Sequence, residues 1–241
     1  MEKLILIRIK SGTVNGLLGK YYVWQGEAPP EDFSTLELIT SRIDPQINFT
    51  WWDSPAPGVP AGYFAIEWTG LLRVDVSGVY RIYVVTDDGS RVWLDDELII
   101  DAWFDQSPTA HHSRPLELDT GFYRIRYRFY NRHPFAVARL GWLKPDHTDE
   151  IIPSDNLVVK GGDEVIVRGL PDSYRVEFWS GSKIAEGEVR GGSVVLDFSA
   201  QPKPLDGYFK ILDSEGRLVT ETPVVRNVWG GDEFEVARGG E

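Results

Sequence analysis

The sequence predicts an all-β protein with a large β-sandwich followed by a second, smaller β-sandwich. Aromatic residues make up 12% of the 241 residues and include nine Trp, and aromatic side chains favour the half-buried surface of a strand. From Phe64 onward, short alternating or β-branched runs follow one another at close spacing. No segment shows a convincing amphipathic helix, and the only helix candidate is the short stretch TLELITSRI at 35–43.

The first half of the chain supplies most of the clear elements. Leu4–Ile9 is apolar and β-branched, which predicts a strand, and the Pro- and Gly-rich stretches 27–32 and 53–62 predict loops. Further strands are expected at Ile66–Val76, Val79–Val85, Arg91–Leu94, Leu98–Asp101, Tyr123–Tyr130 and Ala136–Trp142.

The run YRIRYRFY at 123–130 is the cleanest of these strands. Tyr, Ile and Phe alternate with arginines, so the apolar side chains should point inward and the arginines outward. We expect Arg124, Arg126 and Arg128 to pair with acidic residues of a neighbouring strand or domain.

A second set of strands follows Pro153-Ser154-Asp155 and indicates a small sandwich of about 80 residues. Its expected members are Glu164–Val167, Tyr174–Trp179, Ser193–Phe198, Tyr208–Leu212 and Leu218–Thr220. The predicted organisation is an N-terminal extension of residues 1–15, a large sandwich of residues 16–158, and a small sandwich of residues 160–241 whose role the sequence does not show.

One short sequence repeat occurs in the second part of the chain. Gly161–Gly169 reads GGDEVIVRG and Gly230–Gly239 reads GGDEFEVARG. The two strands could open and close one sandwich, the second copy could start another module, or each could be a glycine turn before an acidic strand.

The net charge of the protein limits the classes of partner that it can bind. A net charge of −12 and a pI near 4.8 argue against nucleic acid and against an anionic membrane surface, because both recruit Lys and Arg. An acidic surface suits cation capture, although a solvated acidic face is the commoner explanation. The absence of cysteine excludes disulfides and thiol nucleophiles.

The N-terminus MEKLILIRIKSG lacks the apolar length of a secretory signal, and no run is long enough for a membrane span. We therefore expect no signal peptide in this chain and no membrane insertion. Five Asn, four Gln and a single Met are few thermolabile residues, which favours a thermophilic source.

Four stretches together carry a family resemblance. They are GLLGKYY at 16–22, RIDPQINFTW at 42–51, WTGLLRVDVSGVYRIYVVTDDGSRVWLDDELIID at 68–101 and WFDQS at 103–107. In this order they resemble the PA14 (protective-antigen fourteen-kilodalton) domain family over residues 16–158. The resemblance implies a β-sandwich module of glycosidases, toxins and cell-surface adhesins, often with a carbohydrate-binding role. Residues 160–241 resemble no family that we can name.

The resemblance implies a calcium site at Asp87-Asp88-Gly89. Adjacent side chains of a strand point to opposite faces, so two neighbouring carboxylates share an ion only if the backbone turns them to one side. In the calcium-dependent fungal adhesins of this family a cis peptide joins such a pair, and a further ligand Asn comes from a second loop. Here the equivalent loop is NRHPFA, so Asn131 is the expected third ligand, and Arg132 must point away from the ion.

Several tryptophans are candidates for stacking on a sugar ring. Trp51, Trp52 and Trp103 lie in or near loops, whereas Trp68, Trp93 and Trp142 lie in strands and are expected in the core. We take Trp103 and Trp52, together with Arg132 and His133, as the expected carbohydrate-binding residues.

Two further motifs receive structural interpretations. Asp95-Asp96 stands between VWL and LII and is expected to turn a hairpin. His111-His112 resembles a metal dyad, but the surrounding TAHHSRP reads as a loop, so solvated histidines are expected.

The predicted function is a non-catalytic carbohydrate-binding or adhesion module that recognises glycan hydroxyls through calcium. No Gly-x-Ser-x-Gly, phosphate loop or His-Glu-x-x-His motif occurs, and we expect no enzyme. The alternative is a structural subunit of a surface filament, virion or other extracellular assembly that uses the sandwich for self-association. Both predictions place the protein outside the cell or on a cell or virion surface.

Overall fold

The computed structural model describes residues 4–238 and confirms the all-β prediction. The described chain folds into two compact units. One contains residues 15–159, and the other combines the N-terminal segment up to Val14 with the chain from Lys160 onward. The segment predicted as a separate extension is therefore part of the C-terminal unit.

The strands of the described residues are, in chain order, β1 (Leu4–Lys10), β2 (Thr13–Asn15), β3 (Leu17–Val23), β4 (Glu37–Asp44), β5 (Asn48–Trp51), β6 (Phe64–Val74), β7 (Gly78–Asp87), β8 (Gly89–Leu94), β9 (Glu97–Ala102), β10 (Thr109–His112), β11 (Leu116–Leu118), β12 (Gly121–Asn131), β13 (Ala136–Leu143), β14 (Asp149–Ile151), β15 (Leu157–Lys160), β16 (Glu164–Arg168), β17 (Arg175–Ser180), β18 (Ser182–Glu188), β19 (Ser193–Asp197), β20 (Leu205–Leu212), β21 (Leu218–Glu221), β22 (Val225–Val228) and β23 (Glu233–Arg238). Two short 3₁₀ turns, η1 (Phe33–Thr35) and η2 (Ser154–Asn156), interrupt them. No helix within residues 4–238 is long and apolar enough to cross a membrane.

The first unit is a sandwich of two antiparallel sheets. One sheet has the order β10-β7-β13-β14, with β11 beside β7 and β5 beside β13. The other runs β15-β6-β12-β8-β9, with β3 beside β6 and β4 beside β3. Alternate residues of the two sheets face one another and form the core, as aligned sandwich packing requires.

The arginine strand β12 follows the sequence prediction. Ile125, Tyr127 and Phe129 are at most 2% exposed. On the opposite face, Arg128 pairs with Glu67 directly across from it on β6, with 2.6 Å between Nε and Oε2. The expected cross-strand charge pairing is confirmed there.

The short helix candidate TLELITSRI is a strand, because its β-branched residues continue into β4, which pairs with β3 along its length. One prediction on this unit is wrong. Trp93 is not a core residue. It lies half-buried on the outer face, with the guanidinium carbon of Arg126 4.2 Å from its ring centroid, whereas Trp68 and Trp142 are buried as expected.

The second unit contains two small sheets, β1-β23-β16-β19 and β18-β17-β20-β21, the latter with β22 beside β20. The repeated GGDE segments lead into β16 and β23, which are parallel neighbours with Val167 opposite Phe234. The interpretation that the two copies belong to one sandwich is confirmed. The last residue of the second copy, Gly239, lies outside the described residues.

The strand β1 is an edge of this unit and pairs antiparallel with β23. Leu4 and Leu6 pack against the core of the unit. The Arg8 guanidinium contacts the Oδ2 atom of the buried Asp232 at 3.2 Å. The unit is thus completed by the first strand of the chain.

Candidate functional site

The site lies where β7 ends and β8 begins, at the sequence Asp87-Asp88-Gly89. The Asp87–Asp88 peptide bond is cis. Gly89 stands directly against the ring of Tyr130, and a Cβ atom there would lie 2.1 Å from a ring carbon. Only glycine fits this close approach, which explains the third residue of the motif.

The Asp88 carboxylate is held by two main-chain amides from separate loops. The N–H of Gln106 donates to Oδ1 at 3.1 Å, and the N–H of Arg132 donates to Oδ2 at 2.9 Å. The residue is 4% exposed. Its carboxylate therefore has a fixed position and direction.

The main-chain carbonyl of Asp88 is also fixed. It accepts a hydrogen bond from Oγ1 of Thr86 at 3.0 Å and another from Nε2 of Gln106 at 3.2 Å. Ser90 Oγ in turn donates to Thr86 and contacts the hydroxyl of Tyr127 at 2.9 Å. A buried polar network of this kind fixes the orientation of the Asp87-Asp88-Gly89 segment.

Two other oxygen groups at the site lack donors. Asn131 is fully buried, and its Nδ2 donates to the carbonyl oxygen of His133, while its Oδ1 has no hydrogen-bond partner in the described part of the chain. Within residues 4–238, no hydrogen bond is formed to the Asp87 side chain. Asn131 ends β12 immediately before Arg132, whose amide binds Asp88. A buried acceptor without a donor is costly and fits a cation with oxygen ligands.

Burial and charge raise the proton affinity of both acids. Burial, and then the adjacent Asp88 carboxylate, raise the pKa of Asp87 to about 6, against a smaller lowering by His133. Burial also raises the pKa of Asp88, while the amides of Arg132 and Gln106 oppose that rise. A divalent cation would offset the repulsion between the two carboxylates.

Arg132 points away from the two acids, as a cation site there requires. Its Nε lies 2.9 Å from Oδ2 of Asp105, and its Nη2 donates to the carbonyl of Glu27 at 2.6 Å. Its guanidinium also stands 5.4 Å from the ring centroid of Trp24. The sequence analysis predicted that Arg132 contacts sugar. Its contacts with Asp105, Glu27 and Trp24 occupy the side chain instead.

Of the two tryptophans expected to contact sugar, Trp52 is open and Trp103 is not. Trp52 is 79% exposed, and its ring is 4.6 Å from that of Phe135 in the loop that follows Asn131. Trp103 packs 4.7 Å from Tyr130, and Arg91 lies 5.0 Å from its ring centroid. The surroundings of Trp103 therefore leave it no free ring face comparable to that of Trp52.

The remaining expected residue, His133, is exposed in the same loop as Phe135. Its electrostatic interaction with the two acids lowers the pKa of both. The structure thus brings Asp87, Asp88, Asn131 and His133 to one end of the sandwich. Trp52 follows directly after β5, which pairs with β13, the neighbour of β7.

Sequence reasoning did not assign a role to Gln106 and Asp105. Gln106 binds the main chain of Asp88, and Asp105 holds both Arg132 and the hydroxyl of Tyr130, the latter at 2.7 Å. Both lie in WFDQS, which carries part of the family resemblance. The WFDQS motif was therefore the feature of the sequence that could have pointed to these two residues.

The other paired motifs do not form a metal site. Asp95 and Asp96 have φ angles of 47° and 74° and turn the β8–β9 hairpin as predicted. His111 and His112 lie on β10 rather than in a loop, and Nε2 of His111 contacts Oε1 of Gln106 at 2.7 Å. Within residues 4–238 no group of three or more His, Asp or Glu side chains is arranged to hold a metal. An ion at Asp87 and Asp88 therefore depends on amide or main-chain oxygens for its other ligands.

Three known proteins are similar to the chain over most of its length. The anti-sigma-I factor RsgI3 of Acetivibrio thermocellus is 36% identical over 170 residues, which cover 69% of this chain and 25% of RsgI3. The chain thus spans about a quarter of that relative. The structure of an anti-sigma factor domain-containing protein from Clostridium clariflavum covers 92% of this chain and 88% of its own length, with a TM-score of 0.52 and 18% identity.

The third is the structure of a PA14 sugar-binding domain from an RTX adhesin. It covers 61% of this chain and 99% of its own length, with a TM-score of 0.52 and 16% identity. At these identities the two structures show a shared fold. The family model of the PA14 domain matches residues 15–156, more than half of the chain. The chain therefore belongs to the PA14 domain family, as its motifs and its sandwich indicate.

Proposed function

We propose that this chain is a non-catalytic glycan-binding module whose site is completed by calcium at Asp87, Asp88 and Asn131. The observation that carries the proposal is the buried Oδ1 of Asn131, which has no donor, one residue before the Arg132 amide that fixes the Asp88 carboxylate. Calcium takes six to eight oxygen ligands. Three side chains leave room in its shell for main-chain oxygens, water and vicinal glycan hydroxyls.

The surroundings support a sugar as the remaining ligand. Trp52 offers an exposed ring beside the strand pair that carries Asp87, and aromatic rings stack on the apolar face of a pyranose. His133 supplies a polar group in the same loop as Asn131. The sugar-binding PA14 domain of the RTX adhesin shares the fold and supports this class of ligand.

The proposal places the module outside the cell, where polysaccharides occur. Affinity at a single exposed site would be weak, and display of several copies would supply avidity. Nucleic acid is not a partner in this proposal, since the protein carries a net charge of −12.

A glycan array probed with calcium and with EDTA tests the proposal. We expect calcium-dependent binding for the original protein and none for Asp87→Asn. Asp101→Asn serves as a matched control, because Asp101 is exposed and pairs with Arg91 on the outer face. Equal binding with and without calcium, or retained binding by Asp87→Asn, would refute the mechanism. A calcium-indifferent polymer that is silent on the array would instead support the assembly subunit, which solution mass against concentration detects.

The similarity to anti-sigma factors favours a second function that uses the same site. We propose that within a longer protein glycan binding here serves as an input to sigma-factor control. A chimera in which this chain replaces the matching segment of RsgI3 tests this with a sigma-I-dependent reporter. Glycan should change reporter activity, and Asp87→Asn should abolish the response. No response by a chimera that still binds glycan would refute the regulatory role alone.

A further inference from the structure

A cavity of about 340 Å³ lies in the first unit at the start of β7. Its walls are the β6–β7 turn, with Asp75 and Val76, and the β13–β14 turn, with Lys144 and Pro145. The two turns touch, because a Cβ atom on Gly78 would lie 2.5 Å from Cγ of Pro145. The volume falls within the range of about 300–1,000 Å³ that is usual for small-molecule sites.

The floor of the cavity is aromatic and rigid. Tyr80 and Trp142 line it, each is only 3% exposed, and their ring centroids are 5.4 Å apart. Their polar atoms are already engaged, since the Tyr80 hydroxyl donates to the carbonyl of Val76 at 2.7 Å and the Trp142 indole N–H donates to Glu150 at 3.1 Å. The small part of each ring that reaches the cavity is therefore carbon.

The rim is polar, and its charges are mostly paired. Asp75 accepts from Nε of Arg73 at 2.9 Å and from Nδ2 of Asn156 at 2.9 Å. Lys144 lies 3.2 Å from Glu150. A charged ligand would have little net charge to neutralise here, whereas hydroxyl groups can both donate to the carboxylates and accept from the ammonium group.

We propose that this cavity is a second carbohydrate site, which binds one neutral pyranose unit of a polysaccharide without calcium. The aromatic floor would contact the apolar face of the sugar, and the rim of Asp75, Asn156 and Lys144 would bind its hydroxyls. A small apolar ring without hydroxyls would leave these rim groups unmatched, and a uronic acid would add a charge beside Asp75.

The two sites are at opposite ends of one strand. β7 runs from Gly78, beside the cavity, to Asp87, and nine steps of about 3.3 Å separate them by about 30 Å. One polysaccharide chain of that length, or two neighbouring chains, would engage both sites. Linked binding of this kind raises the apparent affinity without any new contact.

The test is calorimetric titration with cellotetraose, xylotetraose and galactotetraose in EDTA, with trigalacturonic acid as the charged comparator. We expect at least one neutral tetrasaccharide to bind in EDTA, both to the original protein and to Asp87→Asn. Val76→Trp should weaken that binding at least tenfold by filling the mouth of the cavity. Val79→Trp is the matched control and should change it less than twofold, because Val79 is a comparably exposed valine three residues further along the chain, on β7 and outside the cavity lining.

Circular dichroism verifies folding, and Val76→Lys replaces Val76→Trp if the larger side chain unfolds the protein. The absence of calcium-independent binding of every neutral tetrasaccharide overturns the proposal. So does binding that Val76 variants leave unchanged, or binding of trigalacturonic acid alone. Titrations with calcium measure glycan binding at the Asp87 site separately. A failure of the calcium-site proposal can therefore be distinguished from a failure of the cavity proposal.

Discussion

The main-chain amide of Arg132 donates a 2.9 Å hydrogen bond to Oδ2 of Asp88. The positive side chain of the same residue is turned to Asp105. One residue thus fixes a carboxylate through its backbone while its charge is removed from the acids, so a cation is not repelled.

Replacing Gln106 by Ala should weaken calcium binding without removing a ligand. Its side-chain amide donates to the carbonyl of Asp88 and contacts His111. Residues that only orient ligands typically change metal affinity about 10–100-fold. Calorimetric calcium titration measures the effect, and Gln46→Ala is the control, since Gln46 binds the remote carbonyl of Ile152. An unchanged affinity for Gln106→Ala would show that the Asp88 turn does not depend on it.

Calcium affinity should decrease as the pH falls through about 6, the raised pKa of Asp87, because calcium competes with that proton. Without calcium, lowering the pH should instead stabilise the folded chain through Asp87. The folded chain holds the proton more tightly than the unfolded chain, so Asp87 contributes stability below its ordinary pKa of 3.8, and this contribution is lost as the pH rises through 6.

Thermal unfolding in EDTA between pH 4 and pH 8 checks the second effect against Asp87→Asn. The difference in Tm between the two proteins should change between about pH 4 and pH 6 and level off above pH 6. A constant difference over the whole range would show that the pKa of Asp87 is not raised in the folded state.

Trp52→Ala should lower glycan affinity while it leaves calcium affinity and stability unchanged. The residue is 79% exposed, so its removal opens no core cavity. A stacking contact of about 0.5–1.5 kcal/mol corresponds to about two- to tenfold in affinity. Trp52→Tyr should restore most of the loss in the same titration. A loss of calcium binding by Trp52→Ala would mean that the residue supports the ion site instead.

Asp44→Ala should destabilise the first unit. The buried Asp44 carboxylate accepts from the Tyr21 hydroxyl at 2.6 Å and from the Trp68 indole at 2.7 Å. Two buried donors would be left unpaired, at about 1–3 kcal/mol each. Urea unfolding measures the loss, and Asp101→Ala is an exposed ion-pair control expected to cost less than about 1 kcal/mol. A loss for Asp44→Ala as small as that of the control would contradict the role of this network.

Deletion of residues 1–10 should destabilise the C-terminal unit more than the PA14 sandwich. β1 supplies an edge strand and the packing of Leu4 and Leu6 to that unit. Hydrogen exchange should show faster exchange in β23, which loses its partner, and unchanged protection in β12. Equal protection of β23 in the shortened and original chains would show that β1 is dispensable.

Much of the fold could be predicted because it depends on local patterns. Alternation in YRIRYRFY predicted the inner and outer faces of β12, and Asp95-Asp96 predicted the turn of the β8–β9 hairpin. The stretch 35–43, whose local pattern left a helix open, is a strand because pairing with β3, a contact distant in sequence, decides its conformation. Trp93 failed because its side of the strand is covered by an arginine rather than by the opposite sheet.

The sequence by itself determined the all-β class, the PA14 resemblance and the acid pair, since these are written in periodicity and in contiguous motifs. Only the tertiary structure decided that Asn131 is left without a donor, that Arg132 turns to Asp105, and that the first strand completes the last unit. Each of these relations joins residues at least 27 positions apart or depends on a missing partner. Such contacts arise from sheet pairing and loop packing in three dimensions, which spacing along one chain does not encode.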